Sequence, residues 1–169
     1  QEVFTPMTDS ASDPAANPVP AADFRRLNSQ FLAAPQISVG DVALAAAAGV
    51  VMIVNNRPDG EEPDAPQGAE IAAAAAAAGV AYVAIPITHS GFSHTQIDAL
   101  GDAMGRAEGP ILAYCRSGTR STNLWALACA RMGADADDLC AKAAAAGYDL
   151  SALHPTLVAL AAGANDDSA

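Results

Sequence analysis

One stretch near the middle of the sequence constrains the fold more than any other. An apolar run at residues 110–114 ends abruptly at Cys115, and the polar loop Arg-Ser-Gly-Thr-Arg-Ser follows at residues 116–121. Residues 122–132 are then rich in alanine and leucine at helical spacing, so the order predicts a strand, a tight loop and a helix. Gly118 can adopt a conformation that other residues resist, which lets the loop curl with its N–H groups pointing inward.

These residue types predict an anion site built around a thiol nucleophile. Inward amides, the positive end of the following helix and nearby arginines all favour a thiolate at Cys115. Arg120 is predicted to clamp a bound oxyanion. The other loop residues are expected to bind the anion: Arg116, Ser117, Gly118, Thr119 and Ser121. The alternative is a buried structural cysteine that precedes a helix cap.

The composition narrows the class of partner. A formal net charge of −11 argues against nucleic acid and anionic membranes, and two of only eight Lys+Arg residues fall inside the cysteine loop. Three cysteines without framework spacing indicate a reducing compartment, so we expect a cytoplasmic protein. No apolar run has transmembrane length and no secretory signal is recognised. The scattered histidines and the lack of a Cys-x-x-Cys pair predict neither a metal nor a cofactor.

The chain is expected to hold a single domain at residues 23–164. Residues 1–22 lack hydrophobic periodicity and are predicted to form a disordered arm, and residues 165–169 are a polar tail. Within the arm, residues 1–6 are interpreted as an addition that precedes a natural start at Met7.

Strand patterns alternate with helical ones along the domain. A hairpin is predicted from residues 24–28 and 31–34, with further strands at 50–54, 80–87 and 110–114 and helices at 38–48, 68–78, 93–107, 122–132, 134–146 and 150–162. The fold class is therefore α/β, with a mainly parallel central sheet of four to five strands flanked by helices. Because ligands of such sheets bind beyond the carboxyl ends of the strands, three loops should converge: 55–62, 88–93 and 115–121.

Three residues outside the cysteine loop are possible accessory groups. Arg57 either adds to the anion pocket or forms a salt bridge with Glu61 or Glu62. Asp59 is a candidate general acid, although its place before Gly60 favours a role in the turn. His89 lies where an acid could act.

The sequence from 114 to 121 resembles the active loop of single-domain rhodaneses. Four blocks elsewhere are similar to the phosphatase-like domain of the beta-lactamase-hydrolase-like proteins of sulfide-handling bacterial systems: residues 36–38, 54–62, 84–87 and 124–127. The resemblance covers roughly residues 24–132. It implies the fold of atypical dual-specificity phosphatases, a cysteine-phosphatase-like architecture.

Two departures separate the chain from protein tyrosine phosphatases. Those enzymes place five residues between cysteine and arginine and usually a histidine before the cysteine. Here four residues intervene and Tyr114 precedes Cys115. In addition, the loop at 88–93, which corresponds best to the general-acid loop, holds no carboxylate. Without an acid, only esters with good leaving groups should react quickly.

These departures favour sulfur transfer as the leading hypothesis. Cys115 would take sulfane sulfur from an anionic donor such as thiosulfate, carry it as a persulfide, and pass it to a thiol acceptor. The alternative is a cysteine-dependent phosphatase that forms a phosphocysteine, and a second alternative is a non-catalytic anion-binding module. The expected partners are a small anion (thiosulfate, a persulfide or a phosphate ester) and, from the resemblance, a persulfide dioxygenase on a separate chain.

Overall fold

The computed structural model describes residues 23–88 and 90–167. The five strands are β1 Arg25–Asn28, β2 Phe31–Ala34, β3 Met52–Asn55, β4 Ala81–Ala84 and β5 Ile111–Tyr114. The helices are α1 Val39–Ala47, α2 Gly68–Ala77, α3 His94–Arg106, α4 Thr119–Arg131, α5 Ala136–Ala145 and α6 His154–Asp167, the last preceded by a 3₁₀ turn at Ser151–Leu153. The predicted disordered arm, including residues 1–6, and residues 168–169 lie outside the described residues.

The strands form one sheet in the order β1-β2-β5-β3-β4. Only the β1–β2 hairpin is antiparallel, whereas β2, β5, β3 and β4 run parallel. The predicted mainly parallel α/β fold is therefore confirmed. Strand β5 lies between β2 and β3 and all four of its residues are buried, so the loop that follows β5 emerges from the middle of the sheet.

Each face of the sheet carries its own apolar core. On one face, Leu112 and Tyr114 pack in a cluster with Val42 of α1 and Ile71 of α2. On the other face, alternate β5 residues join a larger cluster that contains Trp125 of α4 and members of α3, α5 and α6. A strand that is apolar at every position, without alternation, is what burial on both faces requires.

Several element boundaries differ from the predictions. Helix α4 begins at Thr119 rather than at residue 122, because Gly118 adopts a left-handed φ of 95° and ends the loop early. Strand β4 ends at Ala84, before Pro86, which lacks an N–H to donate. Helix α6 continues through residues 165–167, which were predicted to belong to a polar tail. Within the described part of the chain, none of the helices is both long and apolar enough to cross a bilayer.

Two valines of α1 offer a matched test of the core. Val42 is fully buried, whereas Val39, three residues earlier in the same helix, is 48% exposed. We expect Val42→Ala to lower the free energy of unfolding by about 1.5–3 kcal/mol, because it removes two packed methyl groups. Val39→Ala should change it by less than about 0.5 kcal/mol. Urea unfolding at pH 7 measures both, and equal effects of the two substitutions would contradict the placement of α1.

Candidate active site

Cys115 sits at the carboxyl end of β5, with its side chain enclosed by the loop that follows. Its backbone N–H donates to the Ala34 carbonyl oxygen at 3.3 Å, which extends the β2–β5 pairing by one residue. The residue is fully buried, and its Sγ accepts a hydrogen bond from the Gly118 N–H at 3.1 Å. The sulfur therefore faces the backbone of the loop as well as apolar neighbours, and the backbone offers it a donor.

Helix α4 points its amino-terminal end at the same place. The Thr119 N–H donates to Ser117 Oγ at 3.3 Å, and the first bond of the helix runs from the Thr122 N–H to the Gly118 carbonyl at 2.9 Å. The N–H groups of Arg120 and Ser121 thus have no carbonyl partner within the helix. Unpaired amides and the helix dipole together make a helix start an anion-binding site.

The remaining loop residues divide into a solvent side and a buried side. Arg116, Ser117 and Thr119 are exposed, whereas Gly118 and Ser121 are buried. The Ser121 hydroxyl is fully buried and has no hydrogen-bond partner among the described residues. Of the predicted loop residues, Gly118 contacts the sulfur through its N–H, and the others differ in their exposure to solvent.

Arg120 connects the loop to two other strand ends. Its Nη1 donates to the Ile87 carbonyl at 2.8 Å, and Nη1 and Nη2 donate to the two carboxylate oxygens of Glu61 at 3.0 and 2.8 Å. The pKa of Arg120 is raised, mainly by the hydrogen bonds that it donates to Glu61; burial opposes this effect, and Cys115 adds a smaller increase. The guanidinium is therefore held by both carboxylate oxygens of Glu61 and by the Ile87 carbonyl.

Arg57 belongs to the same ionic cluster. It is buried and donates from Nε to Glu61 at 2.7 Å and from Nη2 to Glu62 at 2.8 Å. Its Nη1 donates to the Gln36 side-chain oxygen at 2.7 Å. Of the two interpretations that the sequence left open for Arg57, the structure shows the salt bridge.

Glu61 bridges the two arginines. Hydrogen bonds from Arg120, opposed by burial and helped by Arg57, lower the pKa of Glu61 to about 2. Its carboxylate is thus ionised across the ordinary pH range and neutralises the guanidinium that was predicted to receive an external anion.

Of the two candidate acids, one makes a contact at the start of α2 and the other lies outside the described residues. Asp59 Oδ1 accepts from the Gly68 N–H at 2.8 Å, at the start of α2. Asp59 also lies in a turn at residues 59–60, the position that the sequence favoured for it. His89 lies outside the described residues.

Two of the three loops expected to converge are in contact, since Arg120 of the cysteine loop pairs with Glu61 of loop 55–62. On the β4 side the contacts come from Ile85 and Ile87, just before loop 88–93. The Asn56 N–H donates to the Tyr114 carbonyl at 2.9 Å, and its side-chain amide donates to the Ile85 carbonyl at 2.9 Å. A fourth loop also joins the site, since the Gln36 N–H after β2 donates to the Arg116 carbonyl at 3.3 Å.

Sequence reasoning missed Gln36 and the pairing of Glu61 with Arg120. The spacing of Glu61 four residues after Arg57 was visible, but a contact across 59 residues leaves no local pattern.

Comparison with known proteins agrees with this geometry. The family model of the beta-lactamase hydrolase-like protein, phosphatase-like domain, matches residues 23–132. The chain belongs to this family. The beta-lactamase hydrolase-like protein of Agrobacterium fabrum is 38% identical over 102 residues, which are 60% of this chain and 24% of that protein. The Xylella fastidiosa (strain Temecula1) protein of the same description is 42% identical over 79 residues, 47% of this chain and 18% of that protein. The chain thus spans about a quarter or less of these relatives.

Solved structures place the fold among phosphatases. A Neisseria meningitidis protein with a provisional phosphatase assignment has a TM-score of 0.71 and 32% identity, covering 80% of this chain and 96% of that one. PTPMT1, crystallised with PI(5)P, has a TM-score of 0.67 at 12% identity, covering 86% of this chain and 99% of that one. This family domain therefore has a cysteine-phosphatase-like fold.

Among the described residues, no group of three or more His, Cys, Asp or Glu side chains is arranged to hold a metal ion.

Glu61→Gln tests the ionic cluster through its pH dependence. Since folding lowers the pKa of Glu61 from about 4.5 to about 2, its stabilising effect is complete above pH 4.5 and is lost as the pH falls toward 2. We expect Glu61→Gln to be less stable than the parent protein at pH 7 and pH 5, with the gap narrowing at pH 3. Urea midpoints at the three pH values measure it.

Glu62→Gln is the matched control for this experiment. Glu62 contacts Arg57 alone in this cluster, and its side chain is 50% exposed against 30% for Glu61. Its loss should therefore be smaller at pH 7. A stability difference for Glu61→Gln that stays constant from pH 7 to pH 3 would contradict the described pairing.

Proposed function

We propose that this domain is a cysteine-dependent phosphatase that hydrolyses phosphomonoesters through a phosphocysteine at Cys115. The observation that carries the proposal is the Cys115 sulfur receiving the Gly118 N–H at 3.1 Å, at the amino-terminal end of α4, on a phosphatase-like fold. This conclusion favours the alternative left open by the sequence over the sulfurtransferase that was the leading expectation.

The chemistry follows from the loop. The Cys115 thiolate attacks phosphorus, an S–P bond forms and the ester P–O bond breaks, so the alcohol leaves with a proton taken from water. Water then attacks the phosphocysteine and releases phosphate, which returns the thiolate. Loop amides and Arg120 stabilise the extra negative charge on the phosphoryl oxygens in both steps. Arg116, Ser117, Thr119 and Ser121 are proposed to contribute through their backbone amides or side chains.

The substrate class is a phosphate ester with a good leaving group. Asp59 is held by the Gly68 N–H, so no acid is assigned to protonate the departing oxygen. An aryl phosphate needs such help less than an alkyl phosphate does. One structural neighbour was crystallised with PI(5)P and another, Pseudomonas aeruginosa TpbA, with pTyr, and both ligands carry a phosphomonoester group. Cysteines without disulfide partners support a cytoplasmic setting.

Sulfur transfer remains the second candidate because of one specific feature. Four residues separate Cys115 from Arg120, and release of sulfite from thiosulfate needs no general acid. In this candidate the S–S bond of thiosulfate breaks, sulfite leaves with the bonding pair, and the sulfane sulfur stays on Cys115 as a persulfide. A thiol acceptor then removes it, and a separate persulfide dioxygenase is the partner proposed for this route.

Parallel assays separate the candidates. We expect p-nitrophenyl phosphate to be hydrolysed by the parent protein and by Cys129→Ser, and activity to fall below about one thousandth in Cys115→Ser, which removes the nucleophile. Cys129 is a suitable control, because burial raises the pKa of its thiol to about 11. Incubation with thiosulfate, followed by intact mass spectrometry, tests for one added sulfur on Cys115. Sulfur loading without phosphate release would replace the proposal by the second candidate, and neither reaction would leave an anion-binding module.

A pair of identical substitutions tests the arginine assignment. Arg120→Lys removes the planar fork that holds both Glu61 and a transferred phosphoryl group, and we expect kcat/KM for p-nitrophenyl phosphate to fall roughly 100-fold. Arg116→Lys changes an exposed residue of the same loop and should cost less than about fivefold, since it keeps the charge. Steady-state kinetics at pH 7 measure both effects. Equal losses of kcat/KM in the two variants would contradict the assignment of Arg120 to phosphoryl binding.

A further inference from the structure

Tyr148 reaches the active loop from a part of the chain that lies beyond the family match. It follows α5, outside residues 23–132, and it is 7% exposed. Its hydroxyl donates to the Ser117 carbonyl at 3.2 Å. The contact with the loop is close, because a Cβ built on Gly118 would lie 2.8 Å from the ring carbon that bears the hydroxyl. The residue at 118 therefore has no room for a side chain where Tyr148 packs.

The Ser117 carbonyl and the Gly118 N–H are two ends of one peptide unit. In a trans peptide these groups point in opposite directions and lie in one plane. Here the carbonyl end accepts from Tyr148 and the N–H end donates to Cys115 Sγ at 3.1 Å. A rotation of this peptide that turned the N–H away from the sulfur would also break the bond to Tyr148.

From this arrangement we propose that Tyr148 is a positioning residue, whose hydroxyl fixes the Ser117–Gly118 peptide so that its N–H stays on the sulfur of Cys115. The inference rests on the proposed role of Cys115 as a nucleophile. The hydroxyl also polarises the peptide it binds, which strengthens the donor at the other end. The Tyr148 hydroxyl bonds to the Ser117 carbonyl, so its proposed effect on Cys115 passes through the Ser117–Gly118 peptide.

The β1 hairpin holds Tyr148 in this place. The Arg25 guanidinium lies 5.3 Å from the centre of the Tyr148 ring, in a cation–π contact. Arg25 Nη1 also donates to the Ala146 carbonyl at 3.4 Å, and Asp23 pairs with the same guanidinium at 3.0 Å. Strand β1 thus contacts the segment that follows α5, and these contacts fix the position of the Tyr148 ring.

The charged groups around this contact leave the tyrosine protonated. Burial raises the pKa of Tyr148, Arg25 lowers it, and Asp23 and Cys115 raise it further. The hydroxyl therefore remains a donor throughout the range in which a thiol is assayed. The other charged residues of the site are Arg120, which is paired with Glu61, and the exposed Arg116. Among the described residues, none of these three is hydrogen-bonded to Tyr148.

Alkylation of Cys115 by iodoacetamide, followed by mass spectrometry as a function of pH, tests the proposal without requiring any turnover. In Tyr148→Phe, which removes only the hydroxyl, we expect the Cys115 alkylation rate at pH 7 to fall about three- to tenfold. The midpoint of the pH profile should move up by about half to one pH unit, with the rate at high pH unchanged. Tyr82→Phe is the matched control, since its hydroxyl contacts Asn55, and its profile should coincide with that of the parent protein.

The outcomes separate positioning from mere packing. A purely structural role for Tyr148 would lower the urea midpoint and leave the pH profile in place, and that result would overturn the proposal. If phosphatase and sulfur transfer are both absent but the profile still shifts in Tyr148→Phe, the proposed function fails and the positioning role stands. Amide hydrogen exchange of the parent protein gives an independent check: the Gly118 N–H should exchange at least 100-fold more slowly than an unprotected amide. Exchange at the unprotected rate would also overturn the proposal.

Discussion

The left-handed backbone at Gly118 is the constraint on which the site depends. With Gly118 at a φ of 95°, the chain leaves β5, turns over the four residues 115–118 and enters α4. The same conformation directs the Gly118 N–H onto Cys115 and places the start of the helix beside the sulfur. A residue with a side chain would be strained at this φ and would also collide with Tyr148. The shape of the loop therefore depends on Gly118. The hydrogen bond to the thiol and the packing of the segment that contains Tyr148 depend on the same residue.

Much of the fold could be predicted because its signals are local. Continuous apolar strands such as residues 50–54 and 110–114, separated by capped helices, indicate a parallel sheet, and Ser38 and Ser93 do cap their helices. The order of the strands is a different matter. Nothing in the sequence says that β5 inserts between β2 and β3, and this insertion is what brings Gln36 into the site. Two observed element boundaries differ from the predicted ones for local reasons. The left-handed φ of Gly118 makes α4 begin earlier than its hydrophobic pattern indicates, and the missing N–H of Pro86 makes β4 end earlier.

The residues of the cysteine loop could be predicted from the sequence, whereas the residues from other loops that contact them could not. Cys115, Gly118 and Arg120 belong to one contiguous motif, so their neighbourhood is fixed by chain connectivity. The partners of Arg120 and of the Ser117–Gly118 peptide come from other loops. Glu61 lies 59 residues before Arg120, and Tyr148 lies 31 residues after Ser117. Such contacts depend on tertiary packing, which residue spacing does not encode. The loop also resembles that of rhodaneses, so sequence reasoning favoured sulfur transfer, whereas the whole domain resembles phosphatases.

The Glu61 carboxylate pairs with both Arg57 and Arg120. An external anion that binds the same edge of Arg120 must therefore take the place of this carboxylate. A guanidinium already engaged by both carboxylate oxygens offers little free attraction to a passing ion, and the chain as a whole carries a formal charge of −11. An incoming anion must either displace the resident carboxylate or approach Arg120 from another edge. A phosphoryl group, the ligand of the proposed function, would contact the helix amides as well as Arg120, and these added contacts offset the cost of the exchange. Under the proposed function, the internal counter-ion therefore favours ligands that contact both Arg120 and the start of α4.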